Sequence, residues 1–172
     1  MTSDQSRMRR EHPPVAPKAA PRSPKIVIAD ALPDSAADLL SREGWEVDAR
    51  AGRPRDELLR DLRDAEGLIV RSSTQVDANL LAAAPHLKVI ARAGTGVDNV
   101  DLNAASERGI LVLNAPGANS VSVAEHTCAL MLTLGRSITR ADAAMKNGQW
   151  TKQALLGTEL QGKTLGLVGL GR

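Results

Sequence analysis

Two stretches of the chain place groups able to hold an anion directly behind short apolar runs. Arg71-Ser-Ser73 follows Gly67-Leu-Ile-Val70, and Arg92-Ala-Gly-Thr-Gly96 follows Leu87-Lys-Val-Ile-Ala91. A guanidinium presents a rigid fork of donors that matches a carboxylate or phosphate. Gly94 and Gly96 permit backbone conformations in which amide N–H groups point at the same anion. The competing reading is two surface arginines and a tight turn, because Gly-x-Gly alone is a weak signal. A second glycine pair, Gly169-Leu-Gly171, stands behind Lys163-Thr-Leu-Gly-Leu-Val168. It reads as the first two-thirds of a dinucleotide fingerprint, the first glycine for the tight turn and the second for close approach of a pyrophosphate. The alternative is a loop that only ends a strand.

The other reactive side chains have structural explanations. His86 follows Pro85 in a connection and reads as solvated, and His126 as a core or interface histidine. Cys128 reads as a small core residue with no basic partner to activate it. Asp98, Asp101 and Glu125 read as helix caps, and the charge run from Arg53 to Arg63 as a solvated helix face. One cysteine excludes an intrachain disulfide, and three histidines with one cysteine argue against a zinc site.

The elements that must position these groups alternate regularly. Lys25–Asp30, Trp45–Ala49, Gly67–Val70, Leu87–Ala91 and Ile110–Leu113 read as strands. The first is β-branched, as a strand buried on both faces would be. Between them lie helices at Pro33–Glu43, with an apolar stripe of Ala36, Ala37, Leu39 and Leu40, then from Pro54, at Val76–Ala84 and at Leu102–Arg108. Strands and helices joined by connections of a few residues predict a doubly wound parallel sheet covered on both faces, over about residues 25–117. Ser122-Val-Ala-Glu125 reads as a capping box opening a largely buried helix to about Ser137. An amphipathic helix over Thr139–Asn147 follows. Lys163–Val168 reads as the first strand of a second domain. Because no helix follows it, the chain is expected to be a fragment of a longer polypeptide, with residues 118–172 as the truncated start of that domain.

Composition narrows the function classes. The net charge is +2, but residues 1–24 carry +3 and the other 148 residues carry −1. The basicity therefore belongs to a Pro/Arg-rich tail, which has too few large apolar residues to offset its ordering entropy and reads as disordered. With two Trp and no Tyr or Phe there are no stacking platforms for single strands, which argues against a nucleic-acid module. No apolar run is long enough to span a membrane. The start lacks the features of a secretory signal, so a cytoplasmic location is expected.

Read together, five segments resemble the D-isomer-specific 2-hydroxyacid dehydrogenases. They are Ile69-Val-Arg-Ser72, Ala91-Arg-Ala-Gly-Thr-Gly-Val-Asp-Asn-Val-Asp101, Val112-Leu-Asn-Ala-Pro-Gly117, Asn119-Ser-Val-Ser-Val-Ala-Glu125 and Gly157–Arg172. Gly94-Thr-Gly-Val-Asp-Asn99 looks like the phosphoglycerate branch of that family. The resemblance covers about residues 25–172. It implies a flavodoxin-like substrate domain followed by a Rossmann domain that binds NAD, and oxidation of 3-phosphoglycerate at the start of serine synthesis. It further implies Arg71, Ser72, Arg92, Ala93 and Gly94 as substrate-binding residues, the last two through backbone amides. Thr95, Gly169, Gly171 and Arg172 would contact the cofactor. The helix from Ser122 would pack in a homo-oligomer. The family's catalytic His, the Glu that orients it and its carbonyl-polarising Arg are expected beyond Arg172, so this chain alone is expected to be inactive. A sister enzyme acting on hydroxypyruvate or glyoxylate, or a non-catalytic NAD-sensing protein, are the alternatives.

Overall fold

The computed structural model describes residues 22–169 and 171. Most of the tail assigned to residues 1–24 lies outside these, as does Arg172. The chain folds around a parallel sheet of β1 (Lys25–Ile28), β2 (Glu46–Ala49), β3 (Gly67–Val70), β4 (Val89–Arg92) and β5 (Leu111–Asn114), in the order β2-β1-β3-β4-β5. This is the flavodoxin-like order, and every pairing in it is parallel. Parallel neighbours need crossovers. They are supplied by α1 (Asp34–Arg42), α2 (Arg55–Asp61), α3 (Ala78–Ala82) and α4 (Leu102–Glu107). Two longer helices follow, α5 (Ser120–Gly135) and α6 (Ile138–Lys146).

The core lies on one face. Val27, Leu68, Val70 and Ile90 meet Leu58 and Leu62 from α2 and its extension, Leu80 and Leu81 from α3, and Ala105 from α4. The second face is covered at β1, where Ile26 and Ile28 are buried at 7% and 3% exposure, and less fully elsewhere. On that face α1 buries no residue completely, and Leu39, assigned to its apolar stripe, is 62% exposed. Edge strand β5 turns Val112 toward the core and leaves Leu111 and Leu113 exposed, as period-two alternation requires of a strand packed on one side.

Three further expectations change. Helix α5 begins at Ser120, with Asn119 at its N-cap and no side-chain cap bond, so the Ser122–Glu125 capping box does not form. Ser122 is the third residue of the helix and Glu125 the sixth, so Ser122 does not stand at the N-cap, nor Glu125 at N3, as a capping box requires. No residue of the helix is buried, and residues 121–130, Cys128 and His126 included, are all exposed, because only α6 packs closely against it among the described residues. Lys163–Val168 is exposed and forms no strand, since an isolated extended segment has no ladder partner.

The charge run beginning at Arg53 is also not a purely solvated face. The Arg53 side chain is 2% exposed. It is paired with Asp48 at 3.0 Å and Asp61 at 2.7 Å, and it donates to the carbonyls of Ile28 and Asp48. Hydrogen bonds from Arg50 above all, and then from Arg53, hold the Asp48 carboxyl well below its usual value of 3.8. A depressed folded value means that this stabilisation is complete above the unfolded value and is lost as pH falls through the folded one. Thermal stability should therefore fall as pH drops below about 3.8. In Asp48→Asn that acid loss should be shallower, on a lower neutral-pH baseline, in melts run across pH.

The Asp77 carboxylate caps α3 by accepting from the Leu80 amide at 2.9 Å, and it also pairs with Arg55. Its pKa is lowered first by that backbone bond and then by Arg55. Losing an N-cap costs about 1 kcal/mol. Asp77→Ala should lower the unfolding free energy by that amount, seen as an earlier denaturation midpoint with an unchanged slope.

Candidate functional site

The C-terminal ends of β3, β4 and β5 open into a cavity of about 460 Å³ lined by Arg71, Ser72, Arg92, Ala93, Gly94, Thr95, Ala115, Ala118 and Asn119. All five residues assigned to the substrate, together with Thr95, are therefore brought to one concavity. It lies on the sheet edge where open α/β folds hold ligands. A larger cavity of about 530 Å³ lies among Arg63, Glu66, His86 and Lys88, at the opposite, N-terminal ends of β3 and β4. Its Lys88 is already paired with Glu66. The smaller cavity is the one at the C-terminal strand ends, and its arginines stand without the carboxylates, Asp64 and Glu66, that line the larger one.

Each donor has a definite state. Arg92 ends β4 with its side chain 13% exposed and its Nη2 3.6 Å from Asp98. Its Nε is buried without a hydrogen-bond partner. An orphaned buried donor carries a desolvation cost that an anion would relieve. Arg71 is exposed, and one of its Nη atoms reaches the Ala31 carbonyl at 3.3 Å.

The amides do not behave as expected. The N–H of Ala93 donates to the Val70 carbonyl and that of Gly94 to the Arg92 carbonyl, both at 2.8 Å. The Ser72, Thr95 and Asn119 amides have no partner among the described residues, so the available backbone donors of the lining come from those three positions. Neither Gly94 nor Gly96 takes positive φ. A Cβ at Gly94 would strike the folded-back Arg92 guanidinium, and one at Gly96 would lie 2.9 Å from Asp98 Oδ1. These glycines make room for side chains rather than supplying a left-handed turn.

On the far rim, Thr95 Oγ1 donates to Asn119 Oδ1 at 2.8 Å, and Asn114 Nδ2 donates to the Thr95 carbonyl at 2.6 Å. Asn119 is a site residue that sequence reasoning misses. Its neighbours in sequence signal only a helix start, and a cavity wall cannot be read from that. Asp98 is 80% exposed at its side chain and caps no helix. Asp101 does cap α4, accepting from Ala104, whereas Glu125 lies within α5.

The glycines assigned to a dinucleotide lie elsewhere. Gly169 takes φ 93°, yet nothing stands within 4 Å of a Cβ placed at Gly169 or Gly171. Without a strand before them or a helix behind, the described residues form no pyrophosphate cradle. Among the described residues no group of three His, Cys, Asp or Glu side chains could hold a metal ion.

Comparison with known proteins agrees with this architecture. Residues 26–162 match the catalytic domain of the D-isomer specific 2-hydroxyacid dehydrogenases. The chain is 48% identical to D-3-phosphoglycerate dehydrogenase of Archaeoglobus fulgidus over 148 residues, 86% of this chain and 28% of that protein. It is 50% identical to the Mycobacterium bovis protein of the same name over 151 residues, 87% of this chain and 28% of that one. The chain thus spans little more than a quarter of the length of these relatives. Among solved structures, a Thermus thermophilus protein superposes with a TM-score of 0.75 at 38% identity, covering 80% of this chain and 46% of its own. An NAD+-bound 3-phosphoglycerate dehydrogenase of Entamoeba histolytica gives 0.60 at 32% identity, over 67% of this chain and 40% of its own. By the sequence match across most of its length and by the shared sheet, this chain belongs to the D-isomer specific 2-hydroxyacid dehydrogenase family.

Proposed function

We propose that this chain is the substrate-holding part of an NAD-dependent enzyme that oxidises 3-phospho-D-glycerate to 3-phosphohydroxypyruvate, the entry to serine biosynthesis. The observation that carries the reading is the pair of arginines on adjacent strand ends in one cavity, Arg92 with an unsatisfied buried Nε. Two guanidinium groups suit a metabolite with an anion at each end, a carboxylate and a phosphate. The names of the relatives point to the same substrate.

The oxidation removes a hydride from the alcohol carbon and a proton from its hydroxyl. NAD supplies the hydride acceptor when bound. Arg71, Ser72 and Arg92 hold the anionic ends, which fixes the alcohol carbon in space and lowers the entropy cost of reaction. Thr95 stands on the cofactor side of the cavity, and Gly169, Gly171 and Arg172 are assigned to the opening of the pyrophosphate loop. The proton acceptor belongs to the remaining length of the protein. Neither His86 nor His126 lines the cavity, so the 172 residues alone should be inactive. The exposed apolar surface of α5 suits a homo-oligomer contact, and the setting is proposed to be cytoplasmic.

The chain also resembles a glyoxylate/hydroxypyruvate reductase of Sinorhizobium meliloti, with a TM-score of 0.70 at 27% identity. Those two substrates each carry a single carboxylate, so the second arginine favours phosphoglycerate. The test is formation of reduced NAD when phosphoglycerate is added to the full-length protein, with hydroxypyruvate and glyoxylate as comparators in the reverse direction. Turnover with phosphoglycerate at the highest kcat/KM is expected. Preference for either comparator would assign a sister enzyme, and binding of NAD without turnover a sensor; either overturns the proposal.

A further inference from the structure

We propose that Asp30 and Asn99, neither of which lines the cavity, are positioning residues that set the spacing of the two substrate-holding arginines. The inference rests on the reading of the cavity as the substrate site. Both residues are polar and buried, at 6% and 4% exposure, where a polar group is normally hydrogen-bonded; both Asp30 oxygens and Asn99 Nδ2 have partners, and only Asn99 Oδ1 has none. Both direct those bonds at one segment, the β3–α3 loop from Arg71 to Thr74. The Asp30 carboxylate accepts from the Arg71 amide at 2.6 Å, the Thr74 amide at 3.2 Å and the Thr74 hydroxyl at 2.7 Å. From the other side, Asn99 Nδ2 donates to the carbonyls of Arg71 and Thr74, both at 2.7 Å. The loop is thus gripped at its two ends by one acceptor group and one donor group.

Asn99 also belongs to the β4–α4 loop, which leads away from Arg92. Its carbonyl accepts from the Val76 amide at 2.8 Å, and Asp101 N–H returns a bond to the Val76 carbonyl at 2.9 Å. Those two bonds form a parallel bridge between Val76 and Val100. Through this bridge and the Asn99 side chain, the loop behind Arg71 and the loop behind Arg92 are locked as one unit. Strands β3 and β4 fix where the arginines leave the sheet. Asp30 and Asn99 fix the backbone beyond it, including the unpartnered Ser72 amide. The grip needs two donations from the Asn99 carboxamide and, at position 30, an oxygen that accepts from the Arg71 and Thr74 amides beside a partner for the Thr74 hydroxyl.

The test is steady-state kinetics on the full-length enzyme with five variants. Asp30→Ala and Asn99→Asp, the latter isosteric but facing two carbonyls with an acceptor, should raise KM for phosphoglycerate about tenfold each, the scale of one charge-assisted hydrogen bond. Cofactor Kd should stay within about twofold, since the nucleotide is held by other parts of the protein. Asp30→Asn should restore most of the affinity, because its carboxamide oxygen can accept from both amides while its NH2 donates to the Thr74 hydroxyl. Thr74→Val removes only the hydroxyl bond and keeps the fold, so it remains readable if Asp30→Ala does not fold. It should raise KM about threefold. Arg92→Ala is the reference. If it raises KM and the Asp30, Asn99 and Thr74 variants do not, the positioning role is wrong and the site stands. If Arg92→Ala also leaves KM unchanged, the site itself is wrong. An equal rise in phosphoglycerate KM and NAD Kd would mean general loosening of the domain and would overturn the proposal too.

Discussion

Replacing Arg92 by Ala raises KM for phosphoglycerate by about 10- to 100-fold and leaves the Kd for NAD near that of the parent enzyme. The range follows from a charge-assisted hydrogen bond to a buried donor, about 1.5–3 kcal/mol. Three features of the site set the direction. Arg92 ends β4 at the cavity, its side chain is mostly buried, and its Nε has no partner in the protein. The nearest carboxylate, on Asp98, is 3.6 Å away and largely exposed, so it offers weak competition for the guanidinium. Arg92→Lys should recover only part of the loss, because an ammonium cannot reproduce a two-pronged contact. The effect should be larger for phosphoglycerate than for a singly charged 2-hydroxy acid. A uniform rise in KM across both would show that the side chain shapes the pocket without recognising charge.

Replacing Arg53 by Met lowers unfolding free energy by about 3 kcal/mol, near the cost of breaking a buried ion pair by removing one partner. Arg53 ties the end of β1, through the Ile28 carbonyl, to Asp48 in β2 and Asp61 in α2. Its loss strands two carboxylates with only the half-exposed Arg50 between them. Chemical denaturation reads the effect directly. A much smaller loss would mean that Arg50 takes over both acids. Because Arg53 lies away from the cavity, the substrate KM of the folded variant should not change.

The sheet was legible in the sequence because four strands are short β-branched or aliphatic runs bounded by helix formers, Gly and Pro, and β2 alternates with period two. The strand bounds shift by one or two residues at β1, β2, β4 and β5, where pairing partners rather than local composition decide the last residue. The clustering of Arg71, Ser72, Arg92 and Thr95 was legible too, since a parallel sheet brings all its strand ends to one edge. What escaped was long-range. Arg53 looks like one charge among many until β2 folds against α2 and encloses it. Asp30 and Asn99 lie 69 residues apart in sequence and share a loop only through the crossover. The amides of Ala93 and Gly94 are consumed by neighbours that no local pattern reveals. Helix α5 illustrates the reverse case. Its apolar run signals burial, but the surface that would bury it is not among the described residues.

A structure of the full-length protein with phosphoglycerate bound tests the account most directly. The account predicts the ligand at the C-terminal ends of β3 and β4, with the guanidinium groups of Arg71 and Arg92 each within hydrogen-bond distance of its anionic oxygens. One of those oxygens should meet the Nε of Arg92. Phosphoglycerate held elsewhere, with both arginine tips pointing into solvent, would contradict it.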